Sequence, residues 1–246
     1  MASSQKSYDT RIGKFQDMIG ILQTLSEYQP TNVLITNKSL KEFLSEILNK
    51  NTEVITQNTS LKIKREERRT LSFKDGNLNP ECVQGCLDNI TNYVAGEFGT
   101  TNSAYKQIYT LKKKIKPTYA KKIAETTTEI PKTTRSGSEK SFTGLVGLSK
   151  QVIQIITSLG SAYAPQNTAI QIANFSQKIE KLDDINQSIA LNLQQYTDVV
   201  QKRKELYDGM NSMKQRTVMI RNYMASFSGG KSNPQYIQVM NALKVS

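Results

Sequence analysis

The sequence predicts an all-α fold, an elongated helical bundle built from two tandem copies of a roughly four-helix unit, each with one long coiled-coil-like helix. Three observations lead to this prediction. The chain of 246 residues holds six prolines, and none lies between Pro165 and Pro234. Long proline-free runs rich in Lys, Gln, Leu and Ile favour helices. In addition, apolar residues recur at helical spacing, and the two halves of the chain resemble each other.

The similarity of the two halves indicates an internal duplication. MIGILQTLSEYQPTN at 18–32 matches VIQIITSLGSAYAPQN at 152–167, with one extra glycine in the second copy. NYVAGEFGTTNSAYKQ at 92–107 matches NYMASFSGGKSNPQYIQ at 222–238. Such repeats must be recognised before any single motif is interpreted. The predicted organisation is an N-terminal tail 1–11, repeat unit 12–111, a basic linker 112–146 and repeat unit 147–246.

Each repeat begins with a short apolar helix, which a Tyr-x-Pro sequence ends because proline disfavours helix at the residue before it. A long second helix follows at about 37–74 and 168–208. Ser39 and Glu42 predict a capping box at its start in the first repeat. In the second repeat a near-heptad row predicts a coiled-coil-like seam. The row consists of Leu182, Ile185, Ile189, Tyr196, Val199, Leu206, Met210 and Met213.

A third helix is predicted at about 80–97 and 213–227, and a short fourth helix at 103–114 and 234–245. Between them in the second repeat, ASFSGGKSN at 225–233 fits the loose form of the nucleotide-binding P-loop. A P-loop needs a strand before it and a helix directly after it. Here the preceding segment has a helical pattern, and the first repeat has Thr-Thr-Asn where the second has Gly-Lys-Ser. We therefore predict a glycine-rich turn in which Gly supplies a positive φ.

Positive charge is concentrated in the linker. The formal net charge is +12, and residues 112–140 hold nine basic and three acidic residues, which is half of this excess. Residues 1–111 carry a net charge of only +1. A Lys/Thr/Ser-rich segment of this kind buries little apolar surface, which predicts a mobile or extended linker.

The chain contains no histidine. This excludes Ser-His-Asp and Cys-His catalysis and removes the commonest metal ligand. Cys82 and Cys86 are four residues apart, a spacing that is poor for a disulfide within a helix and suits two small buried residues. A zinc site would need carboxylates or a second chain. We expect no catalytic residue, no cofactor and no metal.

The most membrane-like run, at 144–164, is interrupted by Lys150, Gln151 and Gln154. A membrane-spanning helix needs about 20 predominantly apolar residues, so this run predicts a buried amphipathic helix. The first 14 residues have no apolar core of signal-peptide length. Together these observations predict a cytoplasmic location and argue against a membrane contact.

The repeats resemble an uncharacterised family of duplicated all-helical proteins from Bacteroidota. The elements that carry the resemblance are Arg-Lys-Glu-Leu-Tyr at 203–207, Asn92-Tyr93-Val94, Phe98-Gly99, and Ser-Ala-Tyr-Lys-Gln at 103–107. The first repeat departs from the pattern, with Ser72 where the second has Tyr207. The resemblance covers both repeats but not the linker. It implies the helical fold and no activity.

Three functions are consistent with the sequence. The favoured one is a non-enzymatic structural or protein-interaction scaffold that presents long amphipathic helices to a protein partner or to another copy of itself. The second is a binder of nucleic acid or of a polyanionic glycan, because basic clusters gain affinity by releasing counterions. The third is a membrane-active helical protein. Against it, the apolar run at 144–164 has a counterpart at 12–28, so the duplication accounts for it.

The candidate contacts for an anionic partner are drawn from the basic clusters and the linker. They are Lys64, Arg65, Arg68, Arg69, Lys112, Lys113, Lys114, Lys116, Lys121, Lys122, Lys202, Arg203 and Lys204.

Overall fold

The computed structural model describes residues 2–73, 80–115 and 142–244, and within these ranges the fold is all-α, as predicted. The helices are α1 (Ala2–Thr24), α2 (Asn37–Ser72), α3 (Val83–Phe98), α4 (Ser103–Ile115), α5 (Phe142–Ser158), α6 (Ile172–Asp208), α7 (Met213–Ala225) and α8 (Pro234–Lys244). Since α1 begins at Ala2, the predicted N-terminal tail is part of the first helix. Helices α4 and α5 include the two ends of the predicted linker, and the rest of it lies outside the described residues.

The two long helices lie where the sequence predicts them. Helix α2 has 36 residues and α6 has 37. The predicted capping box at Ser39 is wrong, because α2 begins earlier. Thr36 precedes the helix, and its Oγ1 accepts a hydrogen bond from the backbone N–H of Ser39 at 3.3 Å. Thr36 therefore caps the helix, and Ser39 lies inside its first turn.

The chain forms two compact units. The first comprises Met1–Ser60 and Asn192–Ser246, and the second comprises Leu61–Leu191. Each of the long helices contributes one part to each unit. The first unit therefore combines α1 with α7 and α8, and the second combines α3 and α4 with α5. The compact units and the predicted sequence repeats are different divisions of the chain.

In the first unit, α1 packs against α8, and α7 contacts both α8 and a short 3-10 helix, Val33–Ile35. The apolar faces of these helices meet in one core. Its fully buried members include Phe15, Met18, Leu22, Leu40, Ile47, Ile220 and Val239. Removing their apolar surface from water is the main stabilising contribution to this unit.

In the second unit, α4 packs against α3 and α5, and α3 contacts a 3-10 helix, Thr168–Ile170. The core includes Leu87, Ile90, Ile108, Val152, Ile156, Phe175 and Ile179. Cys82 and Cys86 are free, buried thiols in this unit. Cys82 precedes α3 and its Sγ accepts a hydrogen bond from the Gly85 N–H at 3.3 Å. Both cysteines thus serve as small buried residues, as the sequence predicts.

A buried tyrosine closes the turn before each long helix. In the first unit the Tyr28 hydroxyl donates to the Ile35 carbonyl at 2.6 Å. In the second unit the Tyr163 hydroxyl donates to the Ile170 carbonyl at 2.9 Å. Burial raises the pKa of both phenols, and a neighbouring tyrosine, Tyr223 or Tyr93, adds to the rise. The neutral phenol, which can donate to the carbonyl, is therefore the form that the fold stabilises.

Tyr28→Phe and Tyr163→Phe should each lower the free energy of unfolding by about 1–2 kcal/mol, because each leaves a carbonyl without its donor. Urea unfolding followed by circular dichroism measures this change. The control is Tyr109→Phe, since Tyr109 is 40% exposed and its substitution should stay within about 0.5 kcal/mol. Phenylalanine variants no less stable than this control would show that the tyrosine bonds do not hold the turns.

Candidate functional site

Two of the predicted anion-contact arginines are packed inside the units. In the first unit Arg203 is 6% exposed, and its Cζ lies 4.1 Å from the ring centroid of Tyr8. In the second unit the Cζ of Arg68 lies 3.7 Å from the ring centroid of Phe142. Cations at these distances over an aromatic face are held by the ring quadrupole. Both guanidinium groups therefore belong to the packing of the helices.

Several other predicted contacts are engaged with neighbouring side chains. Lys64 donates to Ser188, Arg69 pairs with Glu66 at 2.8 Å, Lys112 pairs with Asp88 at 2.9 Å, and Lys113 lies 4.4 Å from the Tyr109 ring centroid. The exposed members without a role in these pairs are Arg65, Lys114, Lys202 and Lys204. Lys116, Lys121 and Lys122 lie outside the described residues. Of these four, Arg65 and Lys114 belong to the second unit, and Lys202 and Lys204 belong to the first.

A cleft of about 670 Å³ in the second unit carries charges of both signs. Lys178 lines it and donates to the Glu81 carbonyl, with the Cys86 Sγ 3.4 Å from its Nζ. Burial raises the pKa of the Cys86 thiol, and the nearby Lys178 opposes this rise. Reactive cysteines have a lowered pKa and are accessible, so Cys86 has the character of a structural thiol. Within the described ranges, no group of three or more Cys, Asp or Glu side chains is placed to hold a metal ion.

The surface with the clearest binding character is on α2 in the first unit. Leu48 and Ile55 are 43% and 51% exposed, and Thr52 and Thr59 are exposed as well. These four residues, spaced by four, three and four positions, lie along one side of the helix, and we call them the neutral face. From Ser45 to Thr59, Glu46 is the only charged residue that is exposed as a whole, and the Glu53 side chain is 43% exposed.

The threonines of the neutral face do not offer free hydroxyl groups. Thr52 donates to the Leu48 carbonyl at 3.1 Å, and Thr59 donates to the Ile55 carbonyl at 2.9 Å. Because the hydroxyls are bonded within the helix, the surface consists mainly of methyl groups. On the flank, Lys50 pairs with Glu53, so these two charges neutralise each other. An exposed helix face this poor in charge is unusual, since solvent-facing sides normally carry charged residues.

The neutral face was not predicted from the sequence, because apolar residues at helical spacing were interpreted as the row that builds the core. The signal was present in the heptad-like spacing of Leu48, Thr52, Ile55 and Thr59. A pattern of this kind does not show which of two apolar rows on one helix faces inwards. The buried row of α2 in the first unit includes Ile47 and Val54, and the neutral face is left to the solvent.

No helix in the described part of the chain is long and apolar enough to cross a membrane.

Arg203→Ala should lower the free energy of unfolding by about 1–3 kcal/mol, since it removes the cation over the Tyr8 ring and a buried alkyl stem. The matched control is Lys202→Ala on the same turn of α6, where the exposed side chain should contribute less than about 0.5 kcal/mol. Chemical unfolding of the two variants compares them directly. Equal stabilities would mean that Arg203 has no structural role.

Comparison with protein-family models, with characterised proteins and with solved structures finds no match to this chain. Its function is therefore inferred from the arrangement of its own side chains.

Proposed function

We propose that the protein is a non-enzymatic structural scaffold that self-associates through the neutral face of α2. The observation that carries this proposal is the exposed, uncharged row Leu48, Thr52, Ile55 and Thr59. Spacing of four, three and four residues is the spacing at which one helix presents a seam to another. Exposed apolar rows of this kind mark sites of interaction with other proteins.

A second copy of the chain fits the neutral face because the row is self-complementary. In a two-fold antiparallel pair, Leu48 of one copy lies opposite Thr59 of the other, and Thr52 lies opposite Ile55. Each large side chain then meets a smaller β-branched one, which allows the two rows to interdigitate. An isologous contact of this type forms a closed dimer.

Electrostatics also favour this face for self-association. Two chains with a formal net charge of +12 each repel one another. A contact made by a row without basic side chains adds no further repulsion at short range. Salt screens the remaining long-range repulsion, so the dimer should become more stable as the salt concentration rises. Binding to a polyanion has the opposite dependence.

The interface is short. The neutral face spans twelve residues from Leu48 to Thr59, which is about 18 Å of helix. Contacts below about 1,200 Å² are typical of weak or transient complexes. We therefore expect a dissociation constant of about 10–100 μM, and a dimer that depends on protein concentration.

Binding to an anionic polymer is the less favoured function. Two of the arginines expected to contact it, Arg68 and Arg203, are stacked on aromatic rings. Lys112 is paired with Asp88. Among the described candidate contacts, the four exposed ones outside these pairs are divided between the two units, so this hypothesis depends on the linker.

The two compact units share several local hydrogen bonds, and we propose that both units derive from one ancestral helical motif. Asn32 Oδ1 accepts from the Leu34 N–H at 3.0 Å, and Asn167 Oδ1 accepts from the Ala169 N–H at 3.0 Å. Each bond lies in the turn that the buried tyrosine closes. The same local chemistry therefore builds the turn before each long helix.

A compensating exchange of side chains supports the same origin. In the first unit the Asn211 carbonyl, just before α7, accepts from Arg216 Nε at 2.9 Å. In the second unit the corresponding Glu81 carbonyl, just before α3, accepts from Lys178. The cation comes from α7 in one unit and from α6 in the other. Both units therefore place a cation at this carbonyl, although the residue that provides the cation stands at a different position in each.

The test is the effect of Ile55→Glu on self-association. The wild-type chain should show a concentration-dependent monomer–dimer equilibrium that tightens with salt, and Ile55→Glu should weaken dimerisation at least tenfold by placing a carboxylate in the apolar seam. Analytical ultracentrifugation at 50 and 500 mM salt measures both effects.

The matched control is Val218→Glu on α7. Val218 is 44% exposed, close to the 51% of Ile55, and it lies outside the neutral face, so dimerisation should be unchanged. A wild-type chain that stays monomeric at several hundred micromolar would contradict the proposal. So would equal weakening by the two glutamate variants. A monomer that binds duplex DNA at low salt and releases it at high salt would favour the polyanion function instead.

A further inference from the structure

We infer that the second unit binds a small monovalent anion, a halide or a short carboxylate, beside Arg68. Three polar atoms there are buried and lack a hydrogen-bond partner among the described residues: Arg68 Nε, Asn186 Nδ2 and Ser72 Oγ. The Ser72 side chain is fully buried. This inference is independent of the neutral face, which belongs to the first unit.

The three groups belong to one cluster. Arg68 and Ser72 are four residues apart on α2, so they lie on the same side of the helix. Asn186, on α6, accepts from Arg68 Nη1 through its Oδ1 at 3.5 Å. The Nδ2 of the same carboxamide is therefore also close to the guanidinium group. The Phe142 ring lies over one face of that group, 3.7 Å from its Cζ, and not at the edge that carries Nε.

All three unpaired groups can donate a hydrogen bond. The Arg68 Nε–H and the Asn186 Nδ2 group are donors only, and the Ser72 hydroxyl can donate. Buried donors are nearly always satisfied in native structures. A set of donors around a cation calls for an acceptor with negative charge, and the edge formed by Nε and Nη2 is the one on which arginine binds carboxylates side-on.

The charges around Arg68 favour an anion as well. The described structure pairs no carboxylate with its guanidinium group. The neighbouring Glu67 faces Lys181, with 3.5 Å between Oε1 and Nζ. Burial lowers the pKa of Arg68, and the positive charge of Arg65 lowers it further. A bound anion would oppose both the burial and the charge of Arg65, because its negative charge stabilises the protonated, partly desolvated guanidinium group.

The first unit shows how the asparagine of the same arrangement is satisfied within the protein. Asn51 Nδ2 donates to the Tyr207 hydroxyl at 3.2 Å, so the asparagine has an acceptor there. Next to it, Asp208 pairs with Arg11 at 3.0 Å. In the second unit Ser72 stands at the position that corresponds to Tyr207. The phenol oxygen is therefore missing, and a bound anion would supply the acceptor in its place.

The experiment follows the side-chain Nε–H of Arg68 by proton–nitrogen NMR while sodium formate or sodium bromide is added at constant ionic strength. The Arg68→Lys spectrum assigns the resonance. We expect its shift to saturate in the millimolar range with at least one of the two anions, and formate alone would identify a carboxylate site. The exposed Arg65 Nε–H is the internal control and should not saturate.

Ser72→Tyr supplies the matched variant, because it restores the tyrosine of the first unit and should abolish saturation. If this variant does not fold, Ser72→Ala removes one donor and should weaken binding about tenfold. An Arg68 resonance that does not respond, or that follows Arg65 without saturating, would overturn the inference and leave water as the partner of these donors. Ile55→Glu should leave the titration unchanged, so failure of the self-association proposal would be visible separately.

Discussion

The lengths of α2 and α6 constrain the rest of the fold. A helix of 36 residues is about 54 Å long, whereas a compact domain of roughly 100 residues has a radius of gyration near 13 Å. A single core of this size cannot cover such a helix from end to end. Each long helix is therefore buried in two parts by two sets of short helices. The apolar rows of both long helices have to serve two cores, and the neutral face is the side of α2 in the first unit that neither the core nor an ion pair occupies.

The sequence predicts the helices well because their signals are local. Helix α1 ends at Thr24, six residues before Pro30, so the Tyr-x-Pro sequence indicates the break but does not set its position. Between α7 and α8, Gly229 and Gly230 have φ values of 86° and 57°, as expected for a glycine turn. The choice of partner for each helix could not be predicted. The apolar spacing of α1 shows that one of its sides is buried, but it does not show which helices cover that side, because several helices of the chain have similar apolar spacing.

Less of the candidate site could be predicted, because it depends on contacts between distant parts of the chain. Arg68 and Arg203 look in the sequence like members of exposed basic clusters. Their aromatic partners, Phe142 and Tyr8, lie far away along the chain, so the burial of these cations has no local signal. Exposure of the neutral face is likewise a tertiary property. The difference between Ser72 and Tyr207 can be read from the sequence. Its structural consequence could not be predicted, because it depends on the hydrogen bond between Tyr207 and Asn51.

The division of the chain into one continuous and one discontinuous unit has a consequence for biosynthesis. The second unit is a single segment, 61–191, and can form as soon as it has left the ribosome. The first unit cannot, since its core includes both Phe15 and Val239. At a synthesis rate of roughly 5–20 residues per second, the apolar face of α1 stays uncovered for more than about ten seconds until α8 has been made. During this time the apolar surface of the N-terminal helices is exposed, which makes this part of the nascent chain the more prone to aggregation.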